Sequence, residues 1–234
     1  MLKPGSSIKG CTEIFRVAVV ETKSAYEGTK KALELLQARR YLKPEEKVLV
    51  KPNYVCSDMP ATGVTTDPMT VKAVVEYLLE NGFSNKNIVV GEGGMSCYST
   101  LKTFEKVGLM DALRELKVPV VDLNKDEREN VKIPQAKVLK KIDAAKSYID
   151  CDAIISLAKL KVHSMATVTL SMKNMMGGIL PKSIMHSDIH NKIADLNRRF
   201  APRISVIDGI IGCQTAELAR DPVCSDVVIC SNNA

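Results

Sequence analysis

All three histidines of the chain, His163, His186 and His190, fall within residues 159–191, KLKVHSMATVTLSMKNMMGGILPKSIMHSDIHN, beside four lysines, two adjacent glycines and a single acid. Imidazoles titrate near neutrality and bind metals, and lysines neutralise anions, so this stretch concentrates the groups that catalysis uses. Lys161 and His163 are two apart, a spacing that points both side chains the same way on extended backbone and lets them converge on one ligand. Lys173 stands ten residues beyond His163 and is followed by Asn174 and Gly177-Gly178. A lysine desolvated there would lose basicity and could act as a nucleophile, whereas an exposed one would only balance charge. His186 and His190 are four apart, which would place two imidazoles on one helical face as candidate metal ligands, or simply as an exposed pair.

Four motifs, one of them the start of this stretch, end apolar runs of strand type. Lys51-Pro52-Asn53 follows KVLV and offers a cation and an amide to a ligand; Gly91-Glu92-Gly93-Gly94 follows NIVV and offers a carboxylate as metal ligand, base or hydroxyl-binding group. The KLKVH segment follows AIISLA, and Asp208-Gly209 follows ISVI, where an aspartate could orient a histidine or lysine, bind a metal or cap a turn. In doubly wound sheets ligands gather outside the carboxyl ends of the strands, so these motifs are expected to share one site. GEGG is not GxGxxG, so the dinucleotide fingerprint is absent.

The elements that must position these residues alternate in type. FRVAVVET, KVLVKPN, NIVVGEGG, VPVVDLN, CDAIISLAKL, ISVIDGII and DVVICSN read as strands. Helices are expected near 27–37, 67–80, 99–116, 167–176 and 187–200. Asp67 before Pro68 is a cap followed by a first-turn proline, and Val71, Val74, Val75 and Leu78 recur at helical spacing as a core face. The pattern is that of a single α/β domain over 1–234, with a mainly parallel sheet flanked by helices, doubly wound and Rossmann-like. Residues 1–14 read as a flexible N-terminal segment and 124–146 as edge strands or loops. The last strand pattern runs into SNNA without a covering helix, so the chain is expected to be C-terminally incomplete.

Composition narrows the partners. Of 234 residues 45% are hydrophobic and 26% charged, as in ordinary globular proteins. The net charge of +6 suits an anionic partner, but the lysines are scattered and only 4% of residues are aromatic, which argues for a small anionic ligand over nucleic acid. Seven cysteines at 11, 56, 97, 151, 213, 224 and 230 form no CxxC pair, so they read as mostly small buried residues and an iron–sulfur cluster within the chain is not expected. The amino terminus lacks the apolar run of a signal peptide and no stretch reaches 18 apolar residues, which reads as a cytoplasmic protein without a membrane span.

KVLVKPN, TTDPMTVKAVVEYL, VGEGG, CDAIISLAKLKVH, TVTLSMKNMMGG, His186 and VIDGI together resemble the family called domain of unknown function 362, over about residues 15–234. That family is often linked to ferredoxin-type iron–sulfur modules, and the resemblance implies an iron–sulfur partner as one reading. A more distant similarity is to nickel-pincer lactate racemases, in the order His163, Lys173, Leu180-Pro181 and His190. It implies acid/base work for His163, a covalently held nucleotide-derived cofactor on Lys173, and a metal on His190 or His186.

The sequence therefore reads as an enzyme of racemase, isomerase or oxidoreductase type that moves a proton or hydride next to a carboxylate. His163, Lys173 and Glu92 are its catalytic candidates, Lys51, Asn53, Lys161, Asn174 and Asp208 its ligand-binding candidates, and His186 and His190 its metal candidates. The alternatives are a redox accessory protein for an iron–sulfur partner and a phosphometabolite-binding module.

Overall fold

A computed structural model describes residues 15–234, so the expectation for 1–14 lies outside the described residues. In chain order the strands are β1 (Val17–Glu21), β2 (Val48–Lys51), β3 (Ile88–Glu92), β4 (Val120–Asp122), β5 (Arg128–Lys132), β6 (Lys141–Ala145), β7 (Ala153–His163), β8 (Thr167–Thr169), β9 (Ile179–Leu180), β10 (Ile204–Cys213) and β11 (Pro222–Ser231). The α-helices are α1 (Ala25–Leu36), α2 (Pro68–Glu80), α3 (Thr100–Lys106), α4 (Leu109–Leu113), α5 (Lys146–Ile149), α6 (Ser171–Asn174) and α7 (Ile189–Phe200).

The main sheet has the order β1-β11-β10-β7-β2-β3-β4. Its run from β10 through β7, β2 and β3 to β4 is parallel, while β11 is antiparallel to both β10 and β1, and β8 folds back antiparallel onto β7. This is the expected mainly parallel α/β sheet. Alternate residues of its strands enter two apolar layers. Val48, Val50, Ile88, Val90, Ile155 and Val206 pack with α1, α2, α3 and α4 on one face. Leu49, Ile154 and the partly buried Val89 pack on the other with α7, Tyr148 and a three-stranded antiparallel sheet of order β5-β6-β9. Residues 124–146 thus hold two strands of a separate small sheet, not edge strands of the main one.

Local chemistry explains the boundaries. Asp67 accepts the Met69 N–H, Pro68 occupies the first turn of α2, and Val71, Val74, Val75 and Leu78 are buried as expected. Burying four such side chains removes apolar area worth roughly 1.5–3 kcal/mol each before entropy. The single helix expected over 99–116 is broken into α3 and α4 at Gly108, whose φ of 83° lies in the left-handed region. The helix expected over 167–176 is also corrected: Thr167-Val168-Thr169 form β8, and only Ser171–Asn174 are α-helical. β-branched residues favour the pleated backbone there. Of the six cysteines described, Cys56, Cys213 and Cys230 are buried, Cys151 is intermediate and Cys97 and Cys224 are exposed, so fewer are core residues than expected.

Candidate functional site

The carboxyl ends of β2 and β3 deliver Lys51 and Glu92 to each other. Lys51 Nζ donates to Glu92 Oε1 at 2.9 Å and Oε2 at 3.0 Å, to Asn174 Oδ1 at 3.2 Å and to the Pro52 carbonyl at 3.3 Å. Glu92 also accepts the Gly93 N–H at 2.7 Å and the Tyr54 N–H at 3.2 Å. Both side chains are buried. Burial pushes the Lys51 pKa down, and the Glu92 charge opposes that shift. Lys51, expected to neutralise a ligand, is instead spent on Glu92. Glu92, expected to act as a base, has both oxygens filled by donors.

Asn174, the last residue of α6, binds this pair to the next strand. Its Nδ2 donates to the Lys51 carbonyl and to Ser156 Oγ on β7, both at 3.0 Å, and its Oδ1 accepts from Lys51 and, at 3.1 Å, from Asn53 Nδ2. The amide thus uses all of its donors and both lone pairs. Asn53 Oδ1, by contrast, is buried without a hydrogen-bond partner, an unfilled acceptor beside the pair. Close approach requires the glycines: a Cβ on Gly177 would fall against Glu92 Oε1 and Lys51 Nζ, and one on Gly93 against the Gly177 carbonyl.

A second buried pair lies one strand over. Lys159 Nζ donates to Asp208 Oδ2 at 2.9 Å, and Asp208 also accepts the Asp67 N–H at 2.8 Å and the Ile210 N–H at 3.3 Å. Asp208 therefore orients a lysine and holds its own turn, as the sequence allowed, and it also fixes the cap of α2. Lys159 was not among the candidates, although the KLKVH segment contains it.

Three lysines remain without a carboxylate of their own. Lys161 on β7 is buried and donates to the Val64 carbonyl at 2.7 Å; burial, reinforced by Lys173, brings its pKa down to about 8. Lys173 on α6 is lowered to about 8, chiefly by burial, with Glu217 and Glu92 opposing and Lys51 adding repulsion. Lys182, hydrogen-bonded to Asn124 Oδ1, is lowered to about 8 by burial, with Glu92 opposing. Glu92 opposes the downward shift of all three amines, and Lys51 adds repulsion at Lys173 and Lys182.

His163 ends β7. Its Nδ1 accepts the Met165 N–H at 3.0 Å and the Ala166 N–H at 3.2 Å, and its Nε2 faces Glu217 Oε1 at 3.6 Å. Burial and then Lys173 lower its pKa to about 4, so the ring is neutral at pH 7, and two amides at Nδ1 put its proton on Nε2. Glu217, anchored by Ser164 N at 2.9 Å and Ser164 Oγ at 3.0 Å, was missed at the level of sequence. Its burial is outweighed by those hydrogen bonds, and its pKa is lowered.

The helical pairing expected for His186 and His190 is not formed. His186 lies in a turn, Asp188 takes a φ of 58°, and α7 starts only at Ile189. Both imidazoles are exposed, and among the described residues no three His, Cys, Asp or Glu side chains gather as metal donors. Lys173 and His190 do line one cleft, but its remaining walls are largely aliphatic.

The fold and site define an α/β protein with an ion-paired, lysine-rich centre at the strand ends. The chain belongs to the family described as Domain of unknown function (DUF362), whose model matches residues 48–234. It is similar to a thylakoid-associated protein of Synechocystis sp., 26% identical over 183 residues that make up 73% of this chain and 54% of that one. The chain therefore spans about half the length of this curated relative. Among solved structures it resembles the lactate racemase apoprotein from Thermoanaerobacterium thermosaccharolyticum, with 13% identity, 80% of this chain and 49% of that chain covered, and a TM-score of 0.45. It also resembles a protein from Thermotoga maritima, with 16% identity, 78% and 49% coverage and a TM-score of 0.49. No helix among the described residues is long and apolar enough to cross a membrane.

Proposed function

We propose that this chain binds a small anionic molecule at the carboxyl ends of β2, β3 and β7 and moves a proton at the carbon next to its carboxylate. The observation that carries this reading is the charge arrangement. Glu92 is neutralised by Lys51 and Asp208 by Lys159, whereas Lys161, Lys173 and Lys182 are desolvated amines without a carboxylate at ion-pair distance. An anion would restore the balance and would be held strongly, because screening by water is weak there. Lys161, protonated below about pH 8, supplies positive charge. Lys173, with a pKa near 8, exchanges a proton close to neutral pH and is the group assigned to transfer it. His163, neutral with Nε2–H directed towards Glu217, positions and donates a hydrogen bond and does not abstract a proton.

The test combines binding with exchange. Phosphate and short carboxylates at ten times their Kd should raise stability by about 1.4 kcal/mol at pH 7, and this gain should fall as pH passes about 8 and the ammonium forms are lost. In deuterated buffer, proton NMR should detect loss of the α-hydrogen from a bound carboxylate. Lys173→Arg should retain anion binding and lose the exchange. Wild-type exchange in that variant would exclude Lys173 as the transferring group, and failure of every anion to stabilise the chain would remove the reading altogether.

A further inference from the structure

A carboxylate sits beside the histidine that ends β7, and it belongs to the chain itself. The turn Ser164-Met165-Ala166 between β7 and β8 gives two of its amides to the His163 ring, at Nδ1. Its other donors hold Glu217: Ser164 N–H donates to Oε2 at 2.9 Å and Ser164 Oγ–H to Oε1 at 3.0 Å, while His163 Nε2 lies 3.6 Å from Oε1. One donor to each oxygen is the forked arrangement that fits a carboxylate. Burial lowers the basicity of Lys173, and Glu217 is the charge that opposes this most strongly. Ser164 is exposed, so its donors are open to solvent. The turn of residues 214–221 that carries Glu217 has no buried residue, so it can move without disturbing the core. It is held by the Glu217 contacts and, on its other side, by the Arg220 Nε–Asp58 Oδ2 pair at 3.0 Å, which is exposed at the arginine and weak.

We infer that Ser164 and His163 form the carboxylate subsite of the ligand, and that Glu217 occupies it as a built-in competitor which an incoming acid displaces. The inference rests on the anion-binding reading above and deepens it, assigning the ligand's carboxylate its donors and making the turn of residues 214–221 a strap that is released on binding. Exchanging one carboxylate for another leaves the Ser164 N–H and hydroxyl satisfied in both states, so the swap costs no hydrogen bond. The incoming carboxylate inherits the His163 Nε2–H and the attraction of Lys173 that Glu217 gives up. The strap lowers the apparent affinity by the fraction of time it is open: a turn closed nine parts in ten weakens an acid about tenfold.

The experiment titrates the full 234-residue chain with propionate by calorimetry at pH 7, with propionamide as the neutral control. Glu217→Ala should bind propionate about tenfold more tightly than the wild type and leave propionamide unaffected. Adding Ser164→Ala to that variant should cancel the gain, because the hydroxyl donor is lost. Arg220→Asn lies outside the subsite and tolerates the φ of 53° there; it should tighten propionate by up to about fivefold by loosening the strap. Amide hydrogen exchange of the wild type under saturating propionate should speed up at residues 214–221, the reverse of the protection a ligand usually confers. Unchanged or weaker propionate binding by Glu217→Ala, alongside normal binding by the wild type, would overturn the inference and leave the anion-binding reading intact, and so would slower exchange at residues 214–221. Absence of both propionate and phosphate binding, in the wild type and in Glu217→Ala alike, would remove the two together.

Discussion

Replacing Lys51 by Met tests whether the Lys51–Glu92 pair is the support on which the site rests. Met keeps much of the aliphatic stem but removes the ammonium that Glu92 contacts at 2.9 and 3.0 Å. Glu92 is 2% exposed and would retain only the Gly93 and Tyr54 amides, leaving a buried carboxylate without its cation. Breaking a buried pair from one side costs about 3–5 kcal/mol, a large part of the roughly 5–15 kcal/mol that holds a domain folded. With a urea slope of about 2.5 kcal/mol/M, the unfolding midpoint should fall by about 1.2–2 M. The double variant Lys51→Met/Glu92→Gln removes the orphaned charge as well, so it should regain most of the loss, giving a coupling of about 2 kcal/mol or more. Urea titrations followed by circular dichroism at constant slope measure all three differences. A single-variant midpoint within about 0.3 M of wild type, with the slope unchanged, would refute the reasoning.

Gly177→Ala should lower Tm by about 3–10 °C, since its methyl must displace Glu92 or Lys51, at an overpacking cost of about 1–3 kcal/mol; an unchanged calorimetric Tm would show that the turn can yield. His163 has a folded pKa lowered to about 4 from 6.5, so the unfolded state binds the proton first as pH falls, and stability should be lost between pH 6.5 and 4. The ring is only half-buried, so screening reduces this to about 1–2 kcal/mol. His163→Gln should flatten that part of the pH–stability curve, and an equally steep curve in the variant would assign the acid sensitivity elsewhere.

The parallel strands were legible because each is a short β-branched run ended by Pro, Gly or a polar residue, and both faces of such strands must be apolar. Convergence of KPN, GEGG and the KLKVH segment at one edge followed from the same rule. Burial was not legible. Lys51 and Lys161 look alike in sequence, yet Lys51 meets a carboxylate across β2 and β3 while Lys161 meets only the Val64 carbonyl. Glu217 stands 53 residues from Ser164 and reaches it through the turn between β10 and β11, a non-local contact without a local pattern. The helix expected to join His186 and His190 failed at one residue, because the backbone turns left-handed at Asp188, which side-chain spacing does not report.

Topology explains why the two ion pairs form at neighbouring strand ends. From β2 the chain proceeds outward through β3 to β4, with α2, α3 and α4 on one face; from β7 it proceeds the other way to β10, with α7 on the opposite face. The order of strand addition therefore reverses between β2 and β7, which stay parallel, and such a switch point is where ligands gather in doubly wound sheets. Lys51 and Ser156 are register partners across it, and Asn174 bridges them from above. A gap lined by strand-end carbonyls and closed by an amide leaves no room for apolar filling, so the chain places polar groups there and must satisfy each of them. Glu92 and Asp208 do this for Lys51 and Lys159. The buried Asn53 Oδ1 is the acceptor at this edge that protein atoms leave without a partner.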